Sequence, residues 1–567
     1  MASKETTGDT GSRERELILN ARTKGPLATV GAFIRLSGPG WLQSAITLGG
    51  GSLGSSLFLG VLGGLALLWL QPLAMIMGVI MLSAIAYVTL STGERPFDAI
   101  NQHVNPVLGW GWALATLMAN VVWCLPQFSL GTAAVQQNLL PNLLGAAAMP
   151  DVAGKLIICA VICVICTAMV WSYNSGGRGV AIFNLIIKLM VAAIVLSFFG
   201  VVVKMAAMGK LSLGAIGAGL IPNLKLLSQP AATFEPFLAA SNYRDFWQNL
   251  IVAQQRDVMI SAAATAVGIN MTFLLPYSLL KRGWDKTCRG LAVFDLSTGL
   301  FIPFILATGC VVIAAATQFH TKYEPGLLGE PDVGGAIVQP AGNVVKGYNA
   351  LAAKRVQHEI GTETFALLSD ADQAAAVAAL PRSEKVLSAM LVKRNAFNLA
   401  ASLSPLTGQT VAQYVFGFGV LGMAVSSIII LMLINGFTIC EIFRKSPTGK
   451  WYRIGSMIPL LGVLGPFFWK DVAVWLVMPT SVFGMMLLPI AYFTFLLMMN
   501  SRSLLGDNMP TGFARVKWNV LMITATGLAT FGSIWSVWNK AGVKGMAAVG
   551  TFAALAMAVH IIRLVRR

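Results

Sequence analysis

Charge is what this sequence is short of. Only 11% of its 567 residues are Asp, Glu, Lys or Arg, against about 25% in an ordinary soluble domain. The acidic side is the scarcer, 23 residues against 40 basic ones, and there are only 4 histidines. Acid–base catalysis and metal binding draw mainly on carboxylates and imidazoles, so both have little to work with. No GxxxxGK[ST] loop and no HExxH occur, which excludes a P-loop ATP-driven pump and the common zinc protease. No soluble stretch brings together a Ser-His-Asp set. The chain therefore reads as no enzyme, with no catalytic residue, no cofactor and no protein-ligated metal. Seven cysteines lie mostly within or at the ends of apolar segments. Of these, Cys159, Cys163 and Cys166 share a helix face without the further ligands that a soft-metal site would need. The first 35 residues lack the apolar core and small-residue cleavage site of a signal peptide, and read as a cytoplasmic tail.

Apolar residues, by contrast, make up 56% of the chain, with a mean hydropathy of +0.72. This is a polytopic, all-α membrane protein. About twelve spans are expected, near residues 36–60, 64–90, 107–139, 153–172, 180–206, 256–280, 290–318, 411–438, 453–468, 472–499, 516–538 and 542–563. The net charge of +17 gathers in alternate loops, at Arg95, Arg178, Lys281 to Arg289, Arg444 to Arg453 and Arg502 to Lys517. That is a topology signal rather than a nucleic-acid surface, and it puts both termini on the cytoplasmic side of a plasma (inner) membrane. The expected organisation is a tail over 1–35, seven spans over 36–318, an extracytoplasmic insert over 319–410 and the remaining spans over 411–567. The insert holds helix-compatible stretches at Asp370–Leu380 and after Pro381. A second outer loop is expected over 207–255.

One stretch organises the rest. GPGWLQSAITLGGGSLGSS, Gly38 to Ser56, opens the first span and interrupts it with Gly49, Gly50 and Gly51. Consecutive glycines weaken a helix, and broken backbone at bilayer depth is tolerated only when buried in protein or lining a watery cavity. Span six repeats the device, with Gly268 near its middle followed by Asn270, Thr272 and Pro276. Breaks five spans apart imply two inverted five-helix repeats, the arrangement of secondary transporters that bind solute at the midplane.

Four motifs in order, GPGWL at 38–42, STGERPFDAI at 91–100, ATGCVVIAAATQFH at 307–320 and LLPIAYFTFLLMMNSRSLLGD at 487–507, carry a resemblance. The chain resembles the natural-resistance-associated macrophage protein (NRAMP) family within the amino acid–polyamine–organocation superfamily. The resemblance covers most of the membrane part but not the insert. It implies a LeuT-type fold with two trailing helices, alternating access, and proton-coupled transport of manganese or iron. The metal motifs are where this sequence departs. The family's Asp-Pro-Gly-Asn of span one falls on Gly49, Gly50, Gly51 and Ser52. Its Met-Pro-His-Asn of span six falls on Val267, Gly268, Ile269 and Asn270. The acidic pair of span three falls on Leu125 and Phe128.

A divalent cation stripped of water needs several donors and usually counter-charge. The expectation is thus a divergent site that has lost transition metals and binds a small polar organic solute, carboxylate-bearing or amino-acid-like. It would use the glycine nest of residues 49–51, Ser52, Thr265, Val267, Gly268, Asn270 and Thr272. The alternatives are a divalent cation transporter for Mg²⁺ or Mn²⁺ using carbonyls and waters, and a non-transporting sensor or receptor. Gln127 is expected along the pathway. Lys188, within span five, resembles the lysine that replaces a sodium ion in some amino-acid carriers. It would reach Ser426 of span eight and couple transport to a proton, or else snorkel to the surface. The expected partners are lipid and a small solute, with no nucleic acid.

Overall fold

A run of about 20 apolar residues in lipid must satisfy every backbone N–H and C=O within itself, and the helix does this. The computed structural model of this chain accordingly contains helices and no strand among its described residues, which are 2–145, 148–173, 178–332, 334–408, 410–447, 449–468 and 477–566, though not every side chain within them. The amino-terminal helices are α1 (Ala2–Thr23) and α2 (Pro26–Leu36). Then come the two halves of a broken span, α3 (Pro39–Thr47) and α4 (Gly50–Gly63), followed by α5 (Leu70–Thr92), α6 (Pro106–Ala134), α7 (Asp151–Ser172) and α8 (Arg178–Ala207). A second broken span comprises α9 (Arg244–Ala266) and α10 (Ile269–Lys281), and α11 (Phe301–Phe319) follows. The insert contributes α12 (Gly342–Ile360), α13 (Arg382–Met390) and α14 (Ala396–Thr407). The chain closes with α15 (Phe416–Ile442), α16 (Val477–Met499) and α17 (Gly512–Arg566).

Sequence dictates the ends. Helix α5 stops on Gly93 in the left-handed conformation (φ 68°), where a Cβ would be strained. Helix α6 starts on Pro106 behind Asn105, whose side chain accepts the Val107 N–H at 2.8 Å. Nine helices among the described residues are long and apolar enough to cross a membrane, fewer than the expected twelve for identifiable reasons. The fifth is represented only by the shorter apolar stretch Phe198–Ala207. The ninth is short, with a 3₁₀ stretch over Ile458–Leu464, and the start of the tenth at 472 lies outside the described residues. Spans eleven and twelve run together as α17 and divide at Gly542 (φ 54°). The sixth begins at Arg244 rather than near 256, so Trp247 belongs to α9 and not to a loop.

At the core, α15 packs along α6 and α4 along α11. Every residue of α4 is buried, which no single lipid-facing span would allow. Ion pairs tie the ends of the bundle that carry the basic loops: Arg95 to Glu441 and Arg444 to Asp98, each at 3.2 Å. Two of the four charges come from the STGERPFDAI motif. Asp295 is buried at the start of α3, where its carboxylate accepts the N–H groups of Gly38 (3.0 Å) and Gly40 (2.6 Å) and the Ser37 hydroxyl. Arg289 donates to Asn508 and lies over Tyr87.

The insert is helical where expected, with a helix at Asp370–Ala378 and α13 after Pro381, but it is bolted to the bundle. Glu384, 1% exposed, accepts from Trp247 Nε1 (2.7 Å), Arg355 Nε (2.8 Å) and Ser241 Oγ (2.5 Å). The Arg355 guanidinium also lies 3.1 Å from the centre of the Tyr243 ring. Removing one side of such a buried pair costs up to about 3–5 kcal/mol, and Arg355 would keep only the exposed Glu359, at 3.1 Å. Glu384→Ala should therefore lower unfolding stability by about that much and release the insert to proteolysis, as measured by thermal melts and limited digestion of the detergent-solubilised protein. A loss below about 1 kcal/mol, the level of an exposed pair, would show that the anchor is not needed.

Candidate functional site

Both helix breaks meet at one small cavity of about 30 Å³. Leu48 and Gly49 separate α3 from α4, with Gly49 extended (φ −89°, ψ −179°). Val267 and Gly268, also extended, separate α9 from α10. All three glycines sit in close approach, a Cβ on Gly50 standing 2.5 Å from Leu130 Cδ2. A Cβ on Gly49 would stand 2.3 Å from Ser427 Oγ, and one on Gly51 would stand 2.3 Å from the Trp123 ring.

The hydroxyls at the breaks are spent on stitching backbone. Ser52 Oγ donates to the Thr47 carbonyl and, at 3.4 Å, to that of Thr265. Thr47 Oγ1 contacts the Ala266 carbonyl at 3.5 Å and donates to Met271 Sδ at 3.2 Å. The carbonyl ends of α3 and α9 thus face each other across two hydroxyls, each carbonyl keeping a further lone pair. At the opposite, positive ends an amide side chain takes one N–H each. Gln127 Oε1 accepts the Gly50 N–H at 3.1 Å, and Asn270 Oδ1 accepts the Met271 N–H at 2.9 Å. Pro126, which cannot donate to its own helix, immediately precedes Gln127 in α6.

The walls include Thr47, Gly49, Gly51, Ser52, Trp123, Gln127, Thr265, Gly268, Asn270, Met271 and Ser427. Seven of these were expected: Gly49, Gly51, Ser52, Thr265, Gly268 and Asn270 as binding residues and Gln127 as a pathway residue. Gly50 takes part only through its capped N–H. Val267 turns away, toward α5, where a Cβ on Gly78 would come within 2.0 Å of it. Thr272 is drawn off by Trp112, whose Nε1 donates to it at 2.9 Å. Ser426 is fully buried and donates to the Ala45 carbonyl at 3.1 Å, whereas Lys188 is exposed on α8, so the two are not brought together and the snorkelling alternative fits the lysine. Thr47, Trp123, Met271 and Ser427 were missed. Trp123 lies one helical turn from Gln127, and helical spacing would have put both on one face. Met271 restores a thioether to the second break, four positions after the one where the family carries its own.

Among the described residues no group of three or more His, Cys, Asp or Glu could hold a metal ion. The cavity is neutral: oxygens, one indole and one thioether. Ser427 Oγ is buried in its wall with no hydrogen-bond partner, so it is available to an occupant.

The comparisons with known proteins bear on the whole chain. The family model described as natural resistance-associated macrophage protein-like matches residues 40–346 and 374–539. It leaves out only 347–373 of the insert's interior, so the likeness is wider than the motifs implied. A manganese transporter of Eremococcus coleocola, solved in complex with an aromatic bis-isothiourea substituted compound, superposes with a TM-score of 0.60 at 13% identity, over 94% of this chain and 95% of that one. A variant of the same transporter gives 0.52 at the same identity and coverage. The likeness establishes a LeuT-type fold. No curated protein matches.

The packing of Gly51 on Trp123 gives a direct check. Gly51→Ala should cost about 1–3 kcal/mol of stability by overpacking. In a Trp123→Leu background the same change should cost at least about 1 kcal/mol less. Equal penalties in the two backgrounds, read from thermal melts, would mean that the ring does not press on the break.

Proposed function

The chain belongs to the natural resistance-associated macrophage protein-like family, and from that premise we propose that it is a secondary transporter of divalent cations, Mg²⁺ foremost, which cross by alternating access around the neutral cavity with part of their water retained. The basic side of the bundle is the cytoplasmic one, in a plasma membrane. The manganese transporters of the same fold support a metal-ion cargo over the organic solute expected from sequence.

The observation that carries this reading is a neutral cavity lined by oxygen donors at the carboxyl-terminal ends of α3 and α9. A carboxylate would bind where free N–H groups point at it. Here Gln127 and Asn270 each take one N–H, those of Gly50 and Met271, while Thr47 and Thr265, at the partly negative ends of α3 and α9, line the cavity. That field favours a cation. The cavity, about 30 Å³, is far below the about 300–1,000 Å³ of small-molecule pockets, and it must widen to admit a partly hydrated ion.

The choice among cations follows from the donors. A site without nitrogen or free sulfur donors has little grip on iron, while carbonyl, hydroxyl and water oxygens suit Mg²⁺ and Mn²⁺. The one soft donor, Met271 Sδ, is already engaged by the Thr47 hydroxyl. Hard neutral oxygens suit Mg²⁺, which dehydrates reluctantly and keeps several waters when bound. The retained waters then do part of the charge-stabilising that an absent carboxylate would do. Coupling to a proton, if Lys188 were its agent, would need that lysine inside the bundle.

In proteoliposomes the chain should accumulate Mg²⁺, read by an encapsulated indicator, at least about tenfold faster than Mn²⁺, a gap of about 1.4 kcal/mol. Asn270→Ala should slow Mg²⁺ entry about tenfold or more, and Lys188→Ala should leave both rate and pH profile unchanged. Uptake of an amino acid or carboxylate without divalent flux would overturn the proposal. Faster Mn²⁺ than Mg²⁺ entry would overturn its choice of ion.

A further inference from the structure

Between α13 and α14 the insert dips into the bundle. Leu391, Val392 and Arg394 are buried there, and a Cβ on Gly347 of α12 would stand 2.9 Å from Val392. Arg394 is pinned: it donates to the Val392 carbonyl at 2.6 Å, pairs with Glu324 at 3.5 Å and lies over the Phe319 ring. The half-buried Lys393 beside it reaches the other way. Its Nζ lies 5.7 Å from the centre of the Phe58 ring on α4. The charges that act on it are Asp257 of α9, Lys354 of α12 and Lys540 of α17, and Asp257 is itself held by Lys540 at 2.8 Å.

The position matters because of what α4 and α9 are. Phe58 lies six residues beyond Ser52, about 9 Å along the helix, and Asp257 eight residues before Thr265, about 12 Å. These two half-helices flank the approach to the cavity from the side of the insert. Access from that side requires them to part or the segment across them to lift.

We propose that Lys393 is a proton-released latch: a side chain of the insert, lodged against α4 and α9, that closes this approach while its amine is neutral and frees it on protonation. The inference does not depend on which ion the cavity carries. Burial, aided by Lys354 and Lys540 and opposed by Asp257, lowers the Lys393 pKa from 10.5 to about 7. A lysine released into water keeps the higher value. As pH falls from 10.5 toward 7 the released form gains about tenfold per unit, because only it is protonated. Below about 7 both forms carry the proton and the dependence ends.

Hydrogen exchange on the full chain in nanodiscs, corrected for intrinsic rates, reads the latch without reference to transport. Protection of the α4 amides from residue 53 to 63 should fall about tenfold per unit between pH 9.5 and 7.5 and level off below about 7. Lys393→Met should hold protection flat over the range, and Lys393→Arg should abolish it throughout. Asp257→Asn should move the levelling point to lower pH, since it removes the charge that favours protonation. If the methionine variant misfolds, Lys393→Gln makes the same test. A pH profile shared by wild type and either neutral variant would overturn the proposal, as would an unmoved levelling point in Asp257→Asn.

Discussion

Everything in this bundle answers to the backbone groups set free where two helices stop in the middle of a low-dielectric slab. An unpaired N–H or C=O there costs several kcal/mol, and each break releases a set of both. The chain disposes of them locally: Ser52 and Thr47 tie the carbonyl ends together, while Gln127 and Asn270 each take one N–H at the positive ends. Glycine at 49 and 51 follows as a geometric consequence, since the walls come too close for any Cβ. The arrangement also leaves its mark on function, because the Ser427 hydroxyl in the cavity wall has no hydrogen-bond partner among the described residues.

That reasoning separates what could be read from the sequence from what could not. The breaks were legible, since three glycines within an apolar run and Gly268 within another leave few alternatives. So were the helical stretches after Asp370 and Pro381. Side-chain direction was not. Val267 and Thr272 share a segment with Gly268 and Asn270, yet the first packs toward Gly78 and the second bonds Trp112. Proximity in sequence says nothing about which face a residue presents just after a break, where the helical phase is reset. Met271 shows the converse: a register shift of four restores a sulfur that a position-by-position comparison declares lost. Lys188 failed for a simpler reason. An intramembrane lysine is a functional candidate only if it faces inward, and the helical phase of a uniformly apolar segment gives no inward face to read.

The insert illustrates a third kind of illegibility. Its interior, 347–373, lies outside the family match, and composition alone marks it as a soluble elaboration. Its attachment depends on long-range partners: Glu384 with Trp247 and Ser241, Arg394 with Glu324, Lys393 beside Phe58. None is closer than tens of residues in sequence, so local pattern carries no trace of them. What they do is connect the added domain to α9 and α4, the half-helices that wall the cavity. A motion of either must therefore be felt by the insert.

A neutral site raises the question of how a doubly charged ion is tolerated at all. Carboxylate sites meet the cost of desolvation with counter-charge, and in doing so bind tightly and select soft or borderline metals through added sulfur or nitrogen. A site of carbonyls, hydroxyls and amides has no such reserve, so an occupant must keep enough water to stay near its free energy in bulk. Tight binding is then neither available nor needed; turnover benefits when the ion is not held deeply. The trade has a structural requirement: the cavity must admit water with the ion yet close to a volume as small as about 30 Å³ between cycles. Closure that tight calls for side chains that fill the space without charge, and Trp123, wedged between Gly51 and Gly484, meets that requirement. The indole and the glycines form one device, and the loss of the acidic ligands is what makes room for it.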